Sequence, residues 1–236
     1  MAQISLRLFL GVFLAMALDW MALFFFWPRL MPFTKPLVMV LLILWTLSVG
    51  MSQGGHLLIL LVLAQFFGLL GDIFLLFSRS WFLWGLGAFL LGHLLYLSIL
   101  GHWLVDRLQH SLGPTEVFFL GLALVAWSAM LVSFFRLFRP LLRDDTRRQG
   151  FRLALRLYGA VLAGLAAFCL LPPVVAAPLS WPDLFLPAGG FLFLISDGLL
   201  AYDRFLKKIR HGRLLVRISY HGSQVCLALG MLHILN

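Results

Sequence analysis

Long apolar runs, interrupted by short clusters of breakers and cations, set the pattern of this chain. Eight runs reach or approach the roughly 20 residues that cross a hydrocarbon core as a helix: residues 5–26, 36–51, 56–77, 81–104, 115–138, 151–172, 183–202 and 214–235. They are continuous and lack the ten-residue alternation of barrel strands, so helices are expected. Breakers mark the turns. Pro28 and Pro32 follow the first run, and Ser52, Gly54 and Gly55 separate the second and third. Gly113-Pro114 precedes the fifth, and Pro172-Pro173, Pro178 and Pro182 close the sixth. The second run is short and reads as partly merged with its neighbours. The first is long and is followed by no small-residue cleavage site, unlike a signal peptide. Because the gaps are short, residues 1–236 read as one integral membrane domain.

Composition narrows the class. Hydrophobic residues make up 62% of the 236 and charged residues only 11%, against roughly 25% charged in soluble domains. A water-soluble globular fold and a disordered chain are both excluded, since disorder needs low hydrophobicity and high charge. The predicted fold is all-α, a polytopic membrane helix bundle. Cys169 and Cys226 lie inside apolar runs and read as reduced packing residues.

The formal charge of +9 raises nucleic acid as a partner, but no folded soluble domain exists to carry these cations. Topology accounts for them. Of the 18 Lys and Arg, sixteen flank the loops after spans 1, 3, 5 and 7, and only Arg7 and Arg107 fall on the other side. By the positive-inside rule, the basic loops are cytoplasmic and both termini lie outside. The expected setting is a bacterial inner membrane. The basic loops should attract anionic headgroups.

An ionisable side chain inside hydrocarbon costs about 2.5–3.5 kcal/mol on insertion scales, so each one asks for a reason. Of nine acids, three lie within spans: Asp19, Asp72 and Asp197. Asp72 and Asp197 each sit about five residues before the cytoplasmic end of an odd-numbered span, roughly 8 Å below that surface. Each has Gly nearby, which allows close helix approach. They are expected at similar depth, in one polar pocket opening toward the cytoplasmic leaflet. Asp19 reads as structural or partly interfacial.

Other polar residues fall near the same level. Span 4 carries Gly85, Phe89, His93 and Tyr96 at steps that share one helix face. Span 8 offers Tyr220 and Gln224 on one face, and span 6 begins with Arg156 and Tyr158. Lys35, opening span 2, can snorkel or meet a phosphate. There is no HExxH, no His-x3-His within a span, no GxSxG elbow and no phosphate-binding glycine loop. No metal and no cofactor are expected, although a zinc site from His93, His221 and the two acids is conceivable.

Lys35-Pro36, Gly71-Asp72 with Leu75, the Gly85/Phe89/His93/Tyr96 stripe, Tyr158, Phe193 through Ser196-Asp197 to Ala201, and Tyr220 with Gln224 occur in this order. In this the chain resembles the YhhN-like family of eight-span membrane proteins, whose animal members are lysoplasmalogenases. It departs at Gly164 and Leu165, where the family often carries a Met. The resemblance implies hydrolysis of the vinyl-ether bond of a lysoplasmalogen, a lysophospholipid, to a fatty aldehyde and a glycerophospho-alcohol. It also implies that Asp72 and Asp197 are the catalytic carboxylates.

Two acids suit that reaction. Protonating the outer alkene carbon of a vinyl ether makes an oxocarbenium ion, to which water adds. Glycosidases meet a comparable cation with two carboxyl groups. Two acids close together in low dielectric do not both ionise, so one serves as acid and the other as base. Asp197, among Phe191, Phe193 and Leu194, reads as the acid and Asp72 as the base. Tyr220, Tyr96, His93, Gln224 and Tyr158 would orient substrate and water, and Lys35 and Arg156 are candidates for the phosphate. The competing readings are a proton-coupled transporter of small molecules or lipids and a metal-dependent lipid amidase.

Overall fold

The computed structural model describes residues 2–51, 55–77, 79–110, 113–139, 149–175 and 180–235. The turn markers Ser52, Gly54 and Pro178, and the loop residues Arg143, Asp144, Asp145, Arg147 and Arg148, lie outside these.

Eight long helices account for nearly all of the described chain: α1 (Ala2–Phe24), α2 (Met31–Gly50), α3 (His56–Leu76), α4 (Phe82–His110), α5 (Pro114–Leu137), α6 (Gln149–Phe168), α8 (Phe185–Phe205) and α9 (Gly212–Ile234). A short α7 (Leu171–Val175) follows α6. No strand occurs among the described residues. Seven of the long helices are long and apolar enough to cross a membrane. The eighth, α9, has 23 residues, about 34 Å at 1.5 Å per residue. The protein is an integral membrane protein, and side chains such as Leu14, Leu44, Ile59, Trp84, Phe118 and Val125 stand exposed for lipid to cover.

The predicted spans match these helices closely, with one correction. The second span is neither short nor merged. It starts at Met31 and runs 20 residues, through Pro32 and Pro36. Pro32 falls in the first turn, where a missing N–H costs nothing. Pro36 removes only the bond to the Pro32 carbonyl. The Pro172-Pro173 pair, read as a turn, lies within α7, where the first turn of a helix again tolerates proline.

The chain divides into two compact units: Met1–Ile99 with Ala228–Asn236, and Leu100–Leu227. In the first, α1 packs on α2 and α2 on α3. Helix α4 reaches α3 through glycine: a Cβ on Gly92 would lie 3.0 Å from the Ala64 carbonyl, and one on Gly71 would lie 2.7 Å from the Phe89 ring. In the second, α5 packs on α6 and α6 on α8. Its core includes Phe134, Phe138, Leu155 and Ala201, with Phe151 and Phe205 against them.

Candidate functional site

Each unit buries one of the two acids singled out by sequence, and each acid has a partner of different chemistry. In the first unit, Asp72 on α3 is fully buried, and Lys35 Nζ lies 2.8 Å from its Oδ1. The α2 face Lys35, Met39, Leu42, Thr46 repeats at steps of four, three and four, as does the α3 face Leu61, Gln65, Gly68, Asp72, and all of these residues are buried. Two such stripes meeting antiparallel place the polar residues in two levels. Lys35 meets Asp72 at one level, and Gln65 Nε2 donates to Thr46 Oγ1 at 2.9 Å at the other. Between them lie about two turns of α3, some 10 Å.

Asp19 is also fully buried. Its Oδ1 accepts the Thr34 hydroxyl at 2.6 Å, which fastens α1 to the first turn of α2 one residue before Lys35. On α4, the predicted stripe holds: Phe89, His93 and Tyr96 are buried on one face, with His93 and Tyr96 almost fully enclosed.

In the second unit, Asp197 on α8 accepts a hydrogen bond from the Tyr158 hydroxyl on α6. Close packing fixes both residues. Gly159 leaves room for the Phe134 ring, and Trp127 Nε1 donates to the Ala160 carbonyl at 3.1 Å, so α5 clamps the turn that carries Tyr158. Gly190 lets α8 approach the Ala166 backbone of α6, where a Cβ would stand 3.0 Å away. Ser196 donates to the Val216 carbonyl of α9 at 3.2 Å. Tyr220 stands edge-on to Phe193, ring centroids 5.7 Å apart, and both Tyr220 and Gln224 are buried.

The structure therefore pairs Lys35 with Asp72 and Tyr158 with Asp197. It gathers His93 and Tyr96 on one helix face, and Tyr220 and Gln224 on another. Arg156 is exposed, two residues or about 200° around α6 from Tyr158, and does not share its face. The Asp19–Thr34 and Gln65–Thr46 bonds went unread in the sequence; a polar residue at heptad-like spacing from the acid, as Gln65 is from Asp72, was the available signal. Among the described residues, no three His, Cys, Asp or Glu side chains come together as a metal site.

Chemically, an acid held by an ammonium is a fixed anion in an apolar surround, fit to face a cation or take a proton from water. An acid held by a neutral phenol donor has a partner that serves its anionic form once a proton has left.

Residues 30–231 match the sequence profile of the YhhN family. The chain is 28% identical to lysoplasmalogenase TMEM86B of Mus musculus over 198 residues, 84% of this chain and 73% of that protein. It is 28% identical to lysoplasmalogenase TMEM86A of Bos taurus over 166 residues, 69% of this chain and 61% of that protein. No solved structure matches. The matched stretch contains Lys35, Asp72, Tyr158 and Asp197, whereas Asp19 precedes it.

Proposed function

This chain belongs to the YhhN family, and we propose that it is a membrane-embedded hydrolase that cleaves the vinyl-ether bond of lysoplasmalogens by two-carboxylate chemistry. The observation that carries this reading is the pair of buried acids, Asp72 and Asp197, on helices apolar enough to span a membrane. The kinship with two lysoplasmalogenases supplies the reaction class.

The roles follow from the partners. Asp197, beside the Tyr158 phenol, gives its proton to the outer alkene carbon, and the alkene π pair forms the new C–H bond. The phenol hydrogen bond strengthens as Asp197 becomes an anion, which favours the transition state over the ground state. Positive charge spreads onto the ether oxygen. Asp72, held as a carboxylate by Lys35, faces this cation and takes a proton from the water that adds. The hemiacetal then collapses. Its C–O bond to the glycerol breaks, the leaving oxygen takes the proton from Asp72, and the hemiacetal hydroxyl returns its proton to Asp197. One water is consumed, and aldehyde and glycerophospho-alcohol leave. His93, Tyr96, Tyr220 and Gln224 orient substrate and water. In this reading Lys35 serves Asp72 before any phosphate, and Arg156, turned away from the Tyr158 face of α6, has no part in the acid–base steps. The enzyme lies in a bacterial inner membrane with its acids nearer the cytoplasmic leaflet, a placement supported by the uneven distribution of cations.

The test is aldehyde release from a lysoplasmalogen by the purified protein, with and without a chelator. Asp72→Asn and Asp197→Asn should each lower the rate by about 10²–10⁴-fold, the usual contribution of general acid–base catalysis, while helix content by circular dichroism is retained. Full activity in either variant overturns the two-acid mechanism. Loss of activity on chelation favours a metal-dependent hydrolase. Absence of aldehyde from the wild-type protein, with protons carried across vesicles, favours a transporter.

A further inference from the structure

The turn between α8 and α9 is the most concentrated charge on the described surface of the second unit. Lys207, Lys208, Arg210, His211 and Arg213 are all exposed within seven residues. Alternation of charge across the membrane accounts for cations at this end of the helices, but not for how this turn is built.

It is folded around one carboxylate. Asp203, in the last turn of α8, accepts the Ile209 N–H at 2.8 Å through Oδ1 and the Lys208 ammonium at 2.9 Å through Oδ2. Gly212, the first residue of α9, presses against the same carboxylate, and a Cβ there would stand 2.8 Å from Oδ1. His211 holds a left-handed backbone, φ +57°, a conformation that persists in a non-glycine residue only where its surroundings impose it. The Leu206 and Lys207 N–H groups close on the Tyr202 carbonyl at 2.9 and 3.1 Å. The only acid of the turn is thus committed inward, to the loop backbone and to Lys208. Lys207, Arg210 and Arg213 are exposed on this loop, with Arg213 also close enough to attract the Asp203 carboxylate, at the point where two helices of membrane-spanning length meet.

We propose that the α8–α9 turn, pinned by Asp203 against Gly212, is a binding site for the phosphodiester headgroup of an anionic phospholipid, with Lys207, Arg210 and Arg213 as its cationic contacts. A cation near an anionic bilayer surface favours binding by about fivefold, and here three share one turn whose backbone is folded before the lipid arrives, which lowers the cost of bringing them together. The proposal is independent of the hydrolase reading, because none of these residues belongs to the acid pairs.

The charge arithmetic supplies a decisive variant. If attraction is diffuse, Asp203→Asn, which adds one unit of positive charge, tightens binding. If the turn is a built site, Asp203→Asn loosens the loop and weakens binding. The full-length protein is placed in vesicles of phosphatidylcholine with or without phosphatidylglycerol. Phosphatidylglycerol retained per chain after detergent extraction is then counted by mass spectrometry, together with the shift in thermal midpoint that the lipid produces. The wild type should retain phosphatidylglycerol over phosphatidylcholine. Lys207→Gln/Arg210→Gln/Arg213→Gln should lose that preference, and Asp203→Asn and Gly212→Ala should reduce it several-fold. Arg136→Gln/Arg139→Gln/Arg152→Gln, which removes equal charge from the ends of α5 and α6, should keep it. Circular dichroism confirms that each variant is folded. Stronger retention in Asp203→Asn, or equal loss in the two triple variants, overturns the site. A midpoint shift of the same size from inorganic phosphate in phosphatidylcholine alone points to a soluble phosphate ligand and overturns the assignment to lipid.

Discussion

Lys35 and Asp72 pose the sharpest energetic question at the scale of single residues. Both charges are taken out of water, with the Lys35 side chain only 11% exposed and that of Asp72 not at all. Desolvating two ions offsets most of their attraction, so the pair contributes little net stability, whereas removing one partner leaves the other uncompensated and costs about 3–5 kcal/mol. Lys35→Met should therefore lower the thermal midpoint in detergent sharply. Adding Asp72→Asn to it should recover much of the loss, because the orphaned charge is gone. Additive effects of the two changes would mean that no such pair exists in the folded protein. The pairing itself was not readable from the chain. Sequence position places Lys35 and Asp72 in depth, because spans have a fixed rise per residue. It does not fix how each helix is rotated about its axis, and that rotation decides whether Lys35 turns outward to headgroups or inward to Asp72. The same holds for Tyr158 and Asp197: both residues stood out, 39 positions apart, but their contact depends on how α6 and α8 are turned. Asp19 was the residue least legible of all, since its burial follows from Thr34 on the neighbouring helix.

Rotation of the helices is set by where they come closest, and glycine marks those places. Helix–helix contact in lipid gains from backbone approach, not from hydrophobic burial. A methyl added at such a place overpacks it, at a cost of typically 1–3 kcal/mol. The obstacle differs between sites. At Gly189 a Cβ would lie 2.9 Å from the Leu227 backbone nitrogen, and at Gly71 it would meet the Phe89 ring at 2.7 Å. A ring is removable and a backbone is not. Gly71→Ala should lose midpoint and regain much of it when combined with Phe89→Leu. Gly189→Ala should stay destabilised when Leu227 is trimmed to Ala. At Gly87 and Gly121 a Cβ meets nothing within 4 Å, so alanine there should match or slightly exceed the wild type, given its better helix propensity. Thermal midpoints in one detergent would rank the six variants, and a loss at Gly87 equal to that at Gly189 would contradict the packing described. At this scale the sequence was nearly sufficient. Continuous apolar runs of about 20 residues permit little except a spanning helix, and the observed helices lie within a few residues of the runs. The start of α2 is the exception, because proline marks a stop in the sequence pattern, yet the first turn of a helix accepts it.

For the molecule as a whole, the consequence is orientation. Seven helices qualify as spans on apolarity alone, and α9 does not, carrying Arg213, Arg217, His221, Gln224 and His233. Its polarity has a physical origin that leaves spanning intact, since about half of its residues are buried and a buried face need not be lipophilic. Helix α5 shows the opposite case: only 11% of its apolar window is buried, and it is almost wholly aliphatic and aromatic because lipid covers it. If α9 crosses, the chain crosses eight times and its two ends lie on the same side, opposite the cationic turns. Single cysteines in a background lacking Cys169 and Cys226 can report this through an impermeant thiol reagent applied to intact cells. Cysteines at Gln3 and Leu235 should label from outside, and cysteines at Arg139 and Arg210 should label only after the membrane is opened. Labelling of Gln3 and Leu235 from opposite sides would leave seven crossings. It would place α9, with Tyr220 and Gln224, along the interface and cost the proposed site those two residues, whereas the direction of spans 3 and 7, from which a similar depth for Asp72 and Asp197 is expected, does not depend on α9.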